Sequence, residues 1–253
     1  MTEFKALIFD VDGVVAETEK DGHRVAFNRV FREEGLKVVW DVENYGDLLK
    51  IAGGKERLKT LVYSPDFSRK IPDKDEYILK LHRRKTEIYK EIVAQGKLPA
   101  RPGVARLIRE AHQANLILGV ASTSHLESVK ALMRKILGED TLNLFDTILA
   151  GDVVRKKKPS PEIYELCSKK LGISPENCAV IEDTRNGLLS AKGAGMVCIV
   201  TPSYYSQKED FSEADLVASC LGDPGEETAH LIRSKVALPE FAYVTVGLLR
   251  KLF

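Results

Sequence analysis

The chain of 253 residues is 44% apolar and 30% charged, with a formal net charge of +1 at pH 7. This composition supplies a sizeable core and excludes a disordered polymer, and so even a charge balance gives no global field for nucleic acid or an anionic membrane. No apolar run reaches bilayer length, so a soluble protein is expected, either one large α/β domain or a core carrying an insert.

In chain order, the first signal is the apolar run Ala6-Leu7-Ile8-Phe9, which ends on Asp10-Val11-Asp12-Gly13. It reads as a buried parallel strand whose last residues turn away at Gly13, and nothing before it looks like a secretory signal. Two carboxylates so close at a strand end require a compensating cation or proton. A helical pattern follows over Glu19 to Glu34, with Val25, Ala26, Val30 and Phe31 on one face. Tyr45 to Val62 and Asp73 to Ala94 also read as helices, separated by breakers at Ser64-Pro65 and Ile71-Pro72. No strand is predicted between residues 16 and 98, so this stretch is a helical insert between core segments 1–15 and 99–253.

Beyond Leu98 the rhythm becomes strand and helix in alternation. Strands are predicted at Leu116 to Ala121, Thr147 to Ala150, Cys178 to Ile181 and Val197 to Val200. Helices are predicted at Leu126 to Leu137, Glu162 to Leu171 and Asn186 to Ala194. The alternation implies an α/β fold, a parallel sheet covered on both faces with right-handed crossovers. From Asp223 onward signals are weak, apart from an apolar stretch, Ala242 to Leu249, expected to pack on the core. Cys167, Cys178, Cys198 and Cys220 form no CxxC pair and read as reduced, mostly buried thiols in a reducing compartment, without structural zinc.

Four strand ends carry chemical groups. The first is Asp10 and Asp12; the second is Ser122-Thr123-Ser124. Hydroxyls and free N–H groups before a helix can hold phosphate oxygens, and the same residues serve as ordinary helix caps. The third is Lys156-Lys157-Lys158-Pro159-Ser160-Pro161, in which Pro159 restricts Lys158 enough to aim its ammonium inward while the other two lysines stay solvated. The fourth is Glu182-Asp183, again a strand ending in carboxylates. Acidic, hydroxyl and lysine ends converging at the carboxyl ends of the strands of one sheet compose a site for Mg2+ and a phosphate.

The ordered set Asp10-x-Asp12-Gly13-Val14, Ser122, Lys158-Pro159 and Glu182-Asp183 resembles the four motifs of the haloacid dehalogenase superfamily. That resemblance implies a Rossmann-like core with a helical cap, residues 16–98, inserted after the first strand as in the beta-phosphoglucomutase-like subgroup. Glu17-Thr18-Glu19, the stretch from Tyr45 to Arg57 and Gly151-Asp152-Val153-Val154 further resemble CbbY-type sugar phosphatases, which act on xylulose-1,5-bisphosphate in photosynthetic organisms. The likeness implies a monomeric enzyme for a small phosphorylated sugar, in the plastid stroma of a photosynthetic eukaryote or the cytoplasm of a photosynthetic bacterium.

The chemistry expected of these residues is phosphoryl transfer. Asp10 is the nucleophile that forms an aspartyl-phosphate, and Asp12 is the general acid and then the base. Asp10, Asp12 and Asp183 are the expected Mg2+ ligands, with Glu182 beside them and, by the resemblance, the backbone carbonyl of Asp12. Lys158 neutralises nucleophile and phosphate, and Ser122 with the backbone of Thr123 and Ser124 completes the cradle. Insert residues expected to meet the substrate are Glu19, His23, Tyr45, Lys50, Gly53, Gly54, Lys55, Arg57 and Lys85, with Lys55, Arg57 and Lys85 on a second phosphate. His125 is a further candidate contact. His23 lies one residue farther from Asp12 than the histidine of a phosphomutase-type relative. A mutase on the same fold, or a phosphatase for another small phosphorylated metabolite, is the alternative; a non-catalytic scaffold is disfavoured because every chemical position holds a competent residue.

Overall fold

Two residue periodicities build the molecule. The computed structural model describes residues 2–253, and its strands alternate between two buried faces. On β1 (Ala6–Phe9), Leu7 and Phe9 join one apolar cluster while Ala6 and Ile8 join the other. β1 pairs in parallel with β2 (Ile117–Ser122) and β4 (Cys178–Glu182). β3 (Thr147–Ala150), β5 (Val197–Val200) and β6 (Leu216–Ala218) extend the parallel ladder, and β7 (Leu231–Ser234) closes one edge antiparallel to β6. The order of the seven strands is β3-β2-β1-β4-β5-β6-β7. Strand order reverses between β1 and β4, the crevice where open α/β sheets bind ligands.

Between β1 and Val104 the described chain is helical. A π-helical turn, Glu19–His23, runs directly into α1 (Arg24–Glu33), followed by α2 (Val42–Leu48), α3 (Gly54–Val62) and α4 (Lys74–Ala94). The buried face of α1 is Ala26, Phe27, Val30 and Phe31; Val25, expected on that face, is exposed. Phe27 and Phe31 pack around Trp40 with ring centroids 4.9 and 4.8 Å away. The single helix expected over Tyr45 to Val62 is two, because Gly53 takes φ +100° and interrupts the ladder before α3. α4 is capped by Asp73, which accepts from Glu76 N–H at 2.9 Å. Short bridges pair Ala16 with Asp12 and with Ala100, where the chain leaves and rejoins the sheet.

α5 (Val104–Gln113) precedes β2 and was not predicted, although it buries Val104, Leu107, Ile108 and Ala111 at helical spacing. α6 (Leu126–Leu137), the short α7 (Glu139–Leu142), α8 (Glu162–Leu171) and α9 (Arg185–Gly193) follow their strands. The weakly patterned end holds β7 and α10 (Val246–Leu249), whose Val246, Leu248 and Leu249 are buried, as is Val244 before it. All four cysteines are free and buried. Among the described residues no helix is long and apolar enough to cross a membrane.

Candidate active site

Parallel register brings the acidic strand ends together. Asp10 continues β1 by donating its N–H to Ile181 O at 3.0 Å, which puts it beside Glu182. Carboxylate oxygens of Asp10, Glu182 and Asp183 all lie within 4.8 Å of one another, and all three residues are buried. The Lys158 ammonium donates to Asp10 Oδ1 at 2.7 Å, to Glu182 Oε1 at 2.5 Å and to Ala121 O at 3.1 Å. Tyr164 on α8 donates its hydroxyl to the same Glu182 oxygen at 2.6 Å, and Asp183 N–H donates to the other at 3.0 Å. Gly13 adopts φ +80°, and a Cβ there would collide with the Asp183 carboxylate. Glycine is the residue that lets the two acidic loops touch.

Charge in this cluster does not balance. Burial raises the Asp10 carboxyl, Lys158 pulls it back, and Glu182 and Asp12 push it up again. Burial, Glu182 and Asp10 likewise hold Asp183 well above the usual carboxylate range. Burial works against the Lys158 ammonium, but Asp10 and Glu182 outweigh it and keep it charged. Three carboxylates against one ammonium, all hard oxygen donors, are a donor set suited to a small divalent cation such as Mg2+.

Asp12 points the other way. Its carboxylate accepts from Thr18 Oγ1, from Ser124 Oγ and from His23 Nε2, the last at 2.9 Å. Burial would raise Asp12, yet His23, then Ser124 and Thr18, hold it well below the usual range. His23 ends a π-helical turn, from which its ring reaches Asp12. His23 Nδ1 lies 2.7 Å from Lys85 Nζ, and its ring stacks on Tyr89 at 4.0 Å. With Nε2–H given to the carboxylate, Nδ1 is the acceptor for Lys85. Burial brings the Lys85 ammonium down to about 8, although Glu19 and Asp12 favour its charge.

A cavity of about 330 Å3 joins these groups to the helical segment. One wall holds Glu19 and Arg57. Tyr45 OH donates to Glu19 Oε2 at 2.6 Å, and Arg57 Nη1 donates to Tyr45 OH at 3.0 Å and to Glu19 at 3.4 Å. Gly53, Gly54, Lys55, Thr123, Ser124 and His125 also line the cavity. At its mouth Lys55 pairs with Asp152, and Lys157 pairs with Glu56 at 3.1 Å and Asp152 at 3.2 Å.

Several expectations need correction. Asp12 stands outside the acidic cluster because its carboxylate is committed to Thr18, His23 and Ser124. Ser122 does not line the cavity: its buried Oγ accepts from Ser124 N–H at 3.1 Å, which also takes that backbone donor out of the cradle. Tyr45 lies behind the wall, fully buried, holding Glu19. Lys50 does not line the cavity either; its side chain is 76% exposed and pairs with Asp47. Arg57 and Lys85 already have partners, which argues against a free anion site at either. Lys157, expected to be solvated, is largely buried at the mouth.

Tyr164, Asp152 and His82 were missed. His82 faces the cavity one turn before Lys85 and Thr86, a spacing that could have revealed it. Burial, then Lys85, Lys55, His125 and Lys157, push its imidazole down to about 3, which keeps the ring neutral. Tyr164 carries no local signal, and Asp152, although inside the stretch Gly151-Asp152-Val153-Val154, gave no hint of Lys55, 97 residues away.

A family model for haloacid dehalogenase-like hydrolases matches residues 4–195. A CBBY-like protein of Arabidopsis thaliana is 47% identical over 226 residues, covering 88% of this chain and 70% of its own. Protein CbbY of Cereibacter sphaeroides is 43% identical, over 87% of this chain and 94% of its own. The crystal structure of CbbY from Rhodobacter sphaeroides with phosphate superposes with a TM-score of 0.80 at 43% identity, over 86% of this chain and 94% of that one. An asparagine variant of that bacterial protein was crystallised with xylulose-(1,5)bisphosphate and has the same TM-score of 0.80. Beta-phosphoglucomutase of Bacillus subtilis is more distant, at 28% identity. The chain therefore belongs to the haloacid dehalogenase-like hydrolases, among the CbbY proteins, and is an enzyme of the phosphatase type.

Proposed function

We propose that this protein is a Mg2+-dependent phosphatase that converts xylulose-1,5-bisphosphate to xylulose-5-phosphate through an aspartyl-phosphate. The observation that carries the chemistry is the Lys158 ammonium bridging Asp10 and Glu182, with Asp183 alongside and Asp12 held apart by His23. Asp10 attacks phosphorus in line, and the ester oxygen of the sugar leaves with a proton delivered by Asp12, which takes that proton up as the substrate binds, since its partners keep it ionised in the free protein. Asp12 then takes a proton from water, which attacks the aspartyl-phosphate and regenerates Asp10. Lys158 keeps the nucleophile and the phosphate from repelling each other. Held by Asp10 and Asp183 with Glu182 adjacent, Mg2+ would neutralise charge on the transferring phosphoryl group.

Residues 16–98 serve as a cap over the core formed by 1–15 and 99–253. Cap closure excludes water and sets His23 on Asp12, so that proton transfer is aligned once the sugar is enclosed. Relatives at 43–47% identity that carry the CbbY name support the bisphosphate reading over a mutase, whose relative stands at 28%. The test is a steady-state screen of sugar mono- and bisphosphates with Mg2+. The highest kcat/KM is expected for xylulose-1,5-bisphosphate; equal rates on phosphoglycolate would overturn the substrate, and isomerisation of a hexose phosphate would favour the mutase.

A further inference from the structure

Arg101 stands where the helical segment rejoins the sheet, and it turns inward rather than to solvent. It is 9% exposed. Its backbone N–H donates to Val15 O at 2.9 Å, tying the returning strand to the outgoing one. Its Nη1 donates to Gly13 O and, at 2.8 Å, to Thr201 O; its Nη2 donates to Pro202 O at 2.8 Å. Glu17, on the outgoing strand, lies 3.5 Å from Nε. One guanidinium therefore satisfies the buried carbonyls of Gly13 and Thr201, on two loops, together with the half-buried carbonyl of Pro202.

Both loops bear on the acidic cluster. Gly13 is the residue against whose bare Cα the Asp183 carboxylate packs, and Ser203 Cβ closes the same spot. Thr201 N–H donates to Glu182 O at 2.8 Å, which fastens the 201–203 loop to the end of β4. Moving Gly13 or Pro202 by a fraction of an ångström shifts the wedge that sets Asp183 beside Asp10.

We infer that Arg101 is a positioning residue that locks the two crossings of the helical segment to the Gly13 and 201–203 loops and thereby sets Asp183 for cation binding. The inference rests on reading Asp10, Glu182 and Asp183 as the Mg2+ site. Lysine at this position keeps the charge but lacks the planar fork, so it cannot serve Gly13, Thr201 and Pro202 together.

The experiment is calorimetric titration of Mg2+ into substrate-free protein, for wild type, Arg101→Lys and Arg106→Lys. Arg106 is the control, since it too donates to backbone carbonyls, those of Leu221, Gly222 and Val244, but away from the acidic cluster. Arg101→Lys is expected to weaken Mg2+ about tenfold, the lower end for groups that orient metal ligands. At saturating Mg2+ its KM should stay within about twofold of wild type. Arg106→Lys is expected to lower Tm without changing Mg2+ affinity. Equal Mg2+ affinity in wild type and Arg101→Lys, or equal weakening in both variants, overturns the inference while leaving the metal site standing. A wild-type protein that takes up no Mg2+ overturns the metal reading and the inference with it. If Arg101→Lys fails to fold, Arg101→Gln, which keeps one amide NH2 but not the fork, is titrated in its place, and unchanged Mg2+ affinity there is equally fatal.

Discussion

Two lysines buried on opposite sides of one cavity have opposite electrostatics. Lys158, beyond the sheet, sits between Asp10 and Glu182, which keep it charged despite burial. Lys85, on the helical side, faces a histidine, and burial brings it down to about 8. Desolvation acts on both; what differs is the sign and number of the groups in contact. The sheet side therefore gathers carboxylates around one ammonium, a set suited to a divalent cation, whereas the helical side supplies an alignment chain, Lys85 to His23 to Asp12.

The contrast breaks first at the nucleophile. Asp10→Asn is expected to reduce turnover at least about 10^4-fold, read as phosphate release, because no other carboxylate is aimed to attack. Its Tm should not fall, since the change relieves crowding with Glu182 and Asp183. Lys158→Met comes next: a loss of about 10^2–10^3-fold in kcat is expected from removal of one preorganised donor. Unlike Asp10→Asn it should also destabilise the fold, by about 3–5 kcal/mol in urea unfolding, because Glu182 is left buried without its cation. If Lys158→Met unfolds like wild type, Lys158 is not the cation that makes burial of Glu182 tolerable.

How much of this was written in the sequence follows the same division. The sheet side was legible because each functional residue directly continues an apolar strand or abuts a proline, so local pattern and position in the fold coincide for Asp10, Lys158, Glu182 and Asp183. The helical side was only half legible. Lys85 interrupts the buried stripe of α4 between Leu81 and Ile88, and His23 continues the stripe of Phe27 and Phe31; polar groups at core positions are a signal. Tyr45 and Arg57 gave motif matches, but their engagement with Glu19 depends on how three helices meet, which no local pattern encodes. Lys157 was misjudged for the same reason, because its partner Glu56 is 101 residues away in sequence. β6 was missed because it is only three residues long, and β7 because it is largely exposed, leaving no apolar run to detect.

On the helical side the expected effects are smaller and pH-dependent. Lys85→Met should reduce kcat about 10–100-fold through loss of alignment at His23. In the wild type, the folded-state pKa of Lys85 is about 8 against an ordinary 10.5. Between those values the unfolded chain binds more protons than the folded one, so the Lys85 contribution to stability rises with pH across that window. Below about pH 8 its burial cost is present in full. The difference in unfolding free energy between wild type and Lys85→Met should therefore shift toward the wild type, by on the order of 3 kcal/mol, as pH climbs from 8 to 10.5. A flat difference would mean that Lys85 is not desolvated, and the contrast with Lys158 would vanish.

The smallest effect belongs to Lys50, which shares a motif stretch with Gly53, Lys55 and Arg57 yet stands apart from them in space. Its ammonium pairs with Asp47 at 2.8 Å while both side chains remain more than three-quarters exposed. An exposed pair of this kind is screened by salt and holds two flexible side chains that water solvates almost as well. Only its backbone carbonyl reaches toward the sheet side, accepting from Asn186 Nδ2 at 3.3 Å, and that contact survives any side-chain change. Lys50→Ala is therefore expected to leave kcat/KM within about twofold and Tm unmoved. A tenfold rise in KM would mean that the 48–53 segment folds inward when substrate binds, moving the boundary between the charged side and the aligning side.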